Sequence, residues 1–117
     1  MTCGKYHSLC LTKKSIVYSW GTGLGGRLGH GDEEDELIPK MIYGLTMGKP
    51  TFIAAGECHS ACVTDRGSLY TWGNGQYGRL GHGLDTNEKK PMYVADLDKQ
   101  EITHVSCGAF HTLAVTA

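Results

Sequence analysis

Apolar and polar positions alternate with a period of two in three short stretches of the chain. Leu9 and Leu11, Ala61 and Val63, and Leu113 and Val115 fall on one face; Ser8, Cys10 and Thr12, then Ser60, Cys62 and Thr64, fall on the other. This pattern predicts β-strands, because successive side chains leave an extended backbone on opposite sides. A second strand is predicted just after each of the first two, over 16–20 and 68–72, with Tyr18 and Trp20, then Tyr70 and Trp72, sharing a face. Further strands are predicted over 39–43 and 91–95, where Pro39 and Pro91 can sit only at a strand start or on an edge. The remaining strands fall over 52–55 and 102–107, and no segment carries a helical period.

The turn between the first two strand types reads Asp65-Arg66-Gly67, a hairpin connection in which glycine takes positive φ at little cost. Ser15 stands where Gly67 would be in the earlier copy, which predicts a small strain and a looser turn there.

These strands recur because the chain is internally repeated. Trp20 returns as Trp72, His30 as His82, Pro39 as Pro91, and His7 as His59 and again as His111, always 52 residues apart and without an insertion. Residues 16–64 laid on 68–116 agree at 18 of 49 positions, which makes the unit structural rather than accidental. The chain therefore divides into a residual strand at about 1–12 and units at 16–64 and 68–116. Met1 stands where Ile53 and Val105 stand, so the chain is expected to open inside a strand. Four short strands per unit with a Gly-rich loop match a propeller blade. Two groupings fit: one partial strand and two complete blades, or one complete blade between two partial ones.

Composition narrows the function classes. The formal charge is -1 and no cluster of Lys or Arg offsets it locally, which excludes a phosphate-dominated nucleic-acid binder. The longest charge run, Asp32-Glu33-Glu34-Asp35-Glu36, is acidic and reads as a solvated loop. Five cysteines, an odd number, without an apolar leader in the first twenty residues predict a reducing compartment, cytoplasmic or nuclear. No apolar run is long enough to span a membrane as a helix.

Tyr18-Ser19-Trp20-Gly21, Gly26-Arg27-Leu28-Gly29-His30-Gly31-Asp32, Pro39 and Ala55-Gly56-Glu57-Cys58-His59-Ser60 follow one another in that order, and the second copy repeats the series from Tyr70 to His111. This ordered set resembles the repeat of the regulator of chromosome condensation family over essentially the whole chain. The resemblance implies an all-β fold of four-stranded antiparallel blades, and an incomplete part of a seven-bladed propeller. It also implies a structural repeat signature in Trp20, Trp72, His7, His59, His111, Gly56 and Gly108.

Three motifs suggest chemistry and are set aside. Gly21-Thr22-Gly23-Leu24-Gly25-Gly26 and Gly73-Asn74-Gly75-Gln76-Tyr77-Gly78 satisfy the dinucleotide fingerprint, but Arg-Leu-Gly-His-Gly follows where the fingerprint needs a helix N-terminus. Cys3 with His7 and Cys107 with His111 suggest zinc, yet the middle copy has Ala55 at the Cys position and a closed site needs four ligands. Five of the six histidines fall on repeat positions, which favours structural duty over acid-base chemistry. His7, His59 and His111 are expected to tie a turn to backbone, and His104 to sit on a strand flank. No catalytic residue, cofactor or metal is predicted.

Rigid repeats usually display function in the loops that vary. Those are 32–38 and 84–90, joined by the tips of the Gly-rich loops. The candidate partner contacts are Leu24, Arg27, Asp32, Glu33, Glu34, Asp35, Gln76, Tyr77, Arg79 and Asp85. The expected function is a non-catalytic protein-interaction scaffold. The resemblance leaves two alternatives: nucleotide exchange on a Ran-like small GTPase, or service as the targeting arm of a HECT-type ubiquitin ligase or kinase. Protein partners, further blades of a longer chain or self-association are expected; nucleic acid and membrane are not.

Overall fold

The computed structural model describes residues 1–83, 85–97 and 100–116. Its strands form three antiparallel sheets in chain order. The first contains β1 (Thr2–Cys3), β2 (His7–Leu11), β3 (Val17–Gly21) and β4 (Glu36–Met41); the second contains β5 (Pro50–Ala55), β6 (His59–Thr64), β7 (Leu69–Gly73) and β8 (Glu88–Tyr93). The third contains β9 (Ile102–Cys107) and β10 (Thr112–Thr116). In each sheet every strand pairs with its neighbour in sequence, so each is a simple meander. The sheets pack in series, β2 and β1 on β5, and β6 on β9. They are successive blades of a β-propeller.

Blade boundaries fall in the connections 42–49 and 94–101, not at the ends of the sequence repeat. The unit at 16–64 thus supplies the two outer strands of one blade and the two inner strands of the next. Each repeat copy fastens two blades together, and the cores lie between blades. One core joins Leu9, Val17 and Ile42 to Ile53, Cys62, Tyr70 and Trp72. The next joins Ala54, Ala61, Val63, Leu69 and Val94 to Ile102 and Val105.

This arrangement buries both faces of the middle blade. Every residue of His59–Thr64 and of Leu69–Gly73 is buried, including the polar face that alternation alone would turn to solvent. The two tryptophans differ for the same reason. Trp72 is 0% exposed between blades, whereas Trp20 is only partly buried on the first blade's outward face. Blade core therefore describes Trp72 and only in part Trp20.

Two local expectations are refined. The proline strands run Glu36–Met41 and Glu88–Tyr93, so Pro39 and Pro91 lie within them on an edge, the second of the two places expected, rather than at their starts. They are tolerated because β4 and β8 are the outermost strands and the ladder slips beside them, between Ser19 and Gly21 and between Thr71 and Gly73. The turn at Ser15 is not looser. Ser15 adopts φ +62° against +75° at Gly67, and both turns close with the same 3.0 Å bond, from Ser15 N to Thr12 O and from Gly67 N to Thr64 O. The departure from glycine is absorbed as backbone strain instead of slack.

Candidate interaction face

One end of the blades carries the Gly-rich loops 22–35 and 74–87 with the short turns 4–6, 56–58 and 108–111. Backbone bonds unite them: Thr22 N donates to Tyr6 O (2.9 Å) and Asn74 N to Cys58 O (3.0 Å).

Each Gly-rich loop is pinned from beneath by a strand hydroxyl. Ser19 Oγ donates to Leu28 O at 2.7 Å and lies 2.9 Å from His30 Nε2; Thr71 Oγ1 donates to Leu80 O at 2.7 Å and lies 2.8 Å from His82 Nε2. A hydroxyl has one proton, already committed to the carbonyl, so each histidine donates from Nε2. Burial lowers the pKa of both His30 and His82 below the ordinary 6.5, consistent with neutral donors.

His7 and His59 use the same chemistry between blades. His7 Nε2 lies 2.9 Å from Ser60 Oγ, which donates to Arg27 O at 2.8 Å; His59 Nε2 lies 3.0 Å from Thr112 Oγ1, which donates to Arg79 O at 2.7 Å. The rings therefore tie each blade to the next through a hydroxyl, and each also meets backbone of the following copy's histidine, His59 or His111. Backbone closes the turn itself, Gly56 N donating to His59 O and Gly108 N to His111 O, both within 2.9 Å. Burial, then the neighbouring arginine charge, pushes His7 and His59 down to about 4. Their Nδ1 atoms are buried without a partner, so protonation there has nothing to donate to. His111 is exposed, and His104 is an exposed β9 residue in edge contact with Phe52 at 5.0 Å.

Arg27 and Arg79, expected among the contacts, are 5% and 4% exposed and are not available to a partner. The loop curls through a 3₁₀ turn at Leu24–Gly26 or Gln76–Gly78, which sends each arginine back between blades. Arg27 Nε donates to Leu24 O and Arg79 Nε to Gln76 O, both at 2.9 Å, and Arg79 Nη1 adds a bond to Ala109 O at 3.0 Å.

The acidic residues are exposed, yet three also brace the loop, Asp32 Oδ1 accepting from Glu34 N at 3.1 Å. Asp35 Oδ1 accepts from Gly23 N at 2.9 Å and Glu33 Oε1 from Gly25 N at 2.8 Å; Asn87 Oδ1 accepts from Gly75 N in the second copy. Amides that would cradle a phosphate in a dinucleotide loop are thus already engaged, by carboxylates in the first copy and by asparagine side-chain oxygens in the second. Among the described residues no three His, Cys, Asp or Glu side chains converge as metal ligands.

The surface left over combines apolar tips with acid. Leu24 is 64% exposed, Tyr77 72%, Tyr6 60% and Phe110 59%. Around them stand exposed Asp32, Glu33, Glu34, Asp35 and Asp85, with Gln76 exposed beside Tyr77. Lys5 pairs with Glu57 at 3.4 Å and Lys89 with Glu33 at 3.8 Å, leaving Asp32, Glu34, Asp35 and Asp85 with no cation in ion-pair contact among the described residues. Leu84, in the expected contact loop 84–90, lies outside the described residues. Tyr6 and Phe110 escaped the sequence reading, although a signal existed: the position before each repeated histidine varies, Tyr6, Cys58 and Phe110, within a turn whose glycine and histidine do not.

Stacked four-stranded blades, each locked to the next by a Gly-x-x-His turn and a Gly-Arg-Leu-Gly-His loop, define a propeller repeat protein. The regulator of chromosome condensation (RCC1) repeat matches residues 15–63 and 66–115, and the chain belongs to that repeat family. It is 41% identical over 114 residues to the human E3 ubiquitin-protein ligase HERC2, covering 97% of this chain and 2% of that protein. The human WBSCR16 structure aligns with a TM-score of 0.86 at 30% identity, over 98% of this chain and 30% of that one. Prp20p of Saccharomyces cerevisiae, whose structure was described with its binding to Gsp1p and histones, aligns at 0.84 and 24% identity over 97% of this chain and 30% of its own. The chain spans less than a third of each of these proteins.

Proposed function

We propose that the chain is a non-catalytic protein-interaction module whose contact surface is the loop face bearing Leu24, Tyr77, Phe110 and the acidic run. The observation that carries this reading is Tyr77. A tyrosine holds φ +62° where the first copy has Gly25 at +75°, a conformation that costs a bulky residue about 1 kcal/mol or more, and it holds a ring 72% exposed. Phe110 meets that ring edge-on at 5.4 Å and the Arg79 guanidinium lies 5.1 Å over Phe110, so the aromatic pair stands on a rigid base. Exposed aromatics on a rigid base are the usual anchors of a protein interface. The surrounding carboxylates select a partner with a basic rim. The five free thiols suit a reducing compartment, cytoplasmic or nuclear.

Cross-linking capture with the whole chain tests this. The variant Leu24→Ala/Tyr77→Ala should lose the protein captured by the wild type, while Arg66→Ala on the opposite end keeps it. Equal capture by all three would overturn the assignment. Within this reading, the 41% identity to HERC2 favours a targeting arm of a ubiquitin ligase over nucleotide exchange on a small GTPase, for which the Prp20p similarity supports the fold alone. Co-purification of a ligase activity dependent on Tyr77 would distinguish the two.

A further inference from the structure

The two copies of the repeat treat one buried guanidinium differently. Arg27 and Arg79 leave their loops with nearly the same backbone, φ −62° and −63°, and each Nε donates at 2.9 Å to the carbonyl three residues back. Arg79 then lies 5.1 Å from the Phe110 ring and 5.9 Å from that of Tyr77, and its Nη1 donates to Ala109 O at 3.0 Å. The corresponding positions around Arg27 are Cys58, Gly25 and Glu57. No aromatic roof covers it there, and its Nη1 is buried without a partner in a side chain only 5% exposed. A buried charged donor left unpaired is costly, and an anion satisfies it best.

Cys58 is placed to become that anion. A Cβ on Gly73 would stand 2.8 Å from Cys58 O and 3.2 Å from Arg27 Cα, so both residues rest on the same point of β7. On the solvent side Lys5 pairs with Glu57 at 3.4 Å; Tyr6, then Glu57 and in smaller measure Cys58 raise the pKa of Lys5, so its ammonium feels the charge of the thiol. The turn that carries Cys58 is flanked on both sides, since a Cβ on Gly4 would meet Gly56 O and one on Gly56 would meet Gly108 O. A partly exposed thiol between an ammonium and a guanidinium has the surroundings that favour thiolate and its oxidation. Other thiols differ. Burial pushes Cys62 up to about 12 and Cys107 to about 11, which holds both as thiols, and Cys3, though more exposed, has the Ser8 hydroxyl at 3.6 Å as its bonding partner.

We propose that Cys58 is a peroxide-reactive thiol whose sulfenate is held by Nη1 of Arg27. The thiol first gives its proton to solvent. The thiolate sulfur then attacks one oxygen of hydrogen peroxide, the S–O bond forms as the O–O bond breaks, and the departing hydroxide takes a proton from solvent to become water. Sulfur loses two electrons and the peroxide gains them. The sulfenate oxygen accepts from Arg27 Nη1, the donor that the reduced chain leaves idle. This site shares the loop face but does not depend on any partner binding there.

The test uses the whole reduced chain, dilute hydrogen peroxide and dimedone, which traps sulfenates, with peptide mass spectrometry to follow each of the five cysteines. Cys58 should be labelled about tenfold faster than Cys3, and Arg27→Met should slow it by about as much with the circular dichroism spectrum unchanged. In concentrated urea the difference between the two thiols should collapse, because only the fold brings Arg27 to Cys58. Should Arg27→Met misfold, the comparison of folded with unfolded wild type decides. Labelling of Cys3 as fast as Cys58, an unaltered Cys58 rate in a folded Arg27→Met chain, or the same ranking in urea would each overturn the proposal.

Discussion

Gly29 and Gly81 are a matched pair that isolates the contact between a Gly-rich loop and an incoming tryptophan. They occupy the same repeat position with nearly the same backbone, φ +79° and +78°. Alanine at either must bear the left-handed conformation, which costs about 1 to 2 kcal/mol for a residue with a Cβ. Only at Gly29 does the new methyl also collide, 2.8 Å from Trp72 Nε1 and 3.0 Å from Cδ1, whereas at Gly81 its nearest neighbour is 3.7 Å away. Trp72 is fully buried and cannot swing aside, so the overlap must move a blade by some tenths of an ångström, at about 1 to 3 kcal/mol. Gly29→Ala should therefore lose roughly 2 to 5 kcal/mol and Gly81→Ala roughly 1 to 2, and the backbone term cancels in their difference. Urea denaturation followed by far-ultraviolet circular dichroism measures both. The double variant Gly29→Ala/Trp72→Leu should be less destabilised than the sum of its parts, because the smaller side chain vacates the overlap. Equal losses for the two glycine variants, or strict additivity in the double variant, would refute the reasoning.

Other outcomes follow from the same contacts. Trp72→Ala should cost about 3 to 5 kcal/mol less a partial gain from removing an indole N–H that is buried without a partner, and Trp20→Ala should cost clearly less; denaturant midpoints that rank the two the other way would contradict the burial difference. His7 and His59 sit at about 4 in the fold against 6.5 unperturbed, so the unfolded chain takes up protons first as pH falls. Their contribution is complete above pH 6.5 and is lost progressively down to about pH 4, and His7→Gln/His59→Gln should flatten the pH dependence of the urea midpoint across that window. Ser15→Gly should raise stability by about 0.5 to 1 kcal/mol in the same assay by relieving its positive φ, and an unchanged or lower value would mean that Ser15 is not strained.

Much of the architecture is legible in the chain because repetition is a one-dimensional property. A 52-residue register, a period of two and a tryptophan that always follows a tyrosine two positions back need no partner to be seen, and they specify antiparallel hairpins such as β6–β7 and the propeller class. What the chain alone leaves open is which hairpins share a sheet. The connections 42–49 and 94–101 are unmarked in composition, and the repeat copy and the blade are out of phase, so packing decides the grouping. Polar residues carry the largest discrepancies. Arg27, Arg79, His7 and His59 read locally as loop or turn residues, yet each is buried because a neighbouring blade closes over it: His7 and His59 meet the Ser60 and Thr112 hydroxyls one repeat away, whereas the arginines fold back on carbonyls of their own loops, Leu24 O and Gln76 O, and Arg79 also reaches Ala109 O. Conversely, Tyr6 and Phe110 drew no reading from the sequence and are exposed, since the Gly-x-x-His turn consumes its glycine and histidine in packing and leaves the residue before the histidine on the surface. A sequence records what each residue is and at what interval it returns; whether a polar group meets water or another blade depends on atoms fifty residues distant, and only the folded chain brings them together.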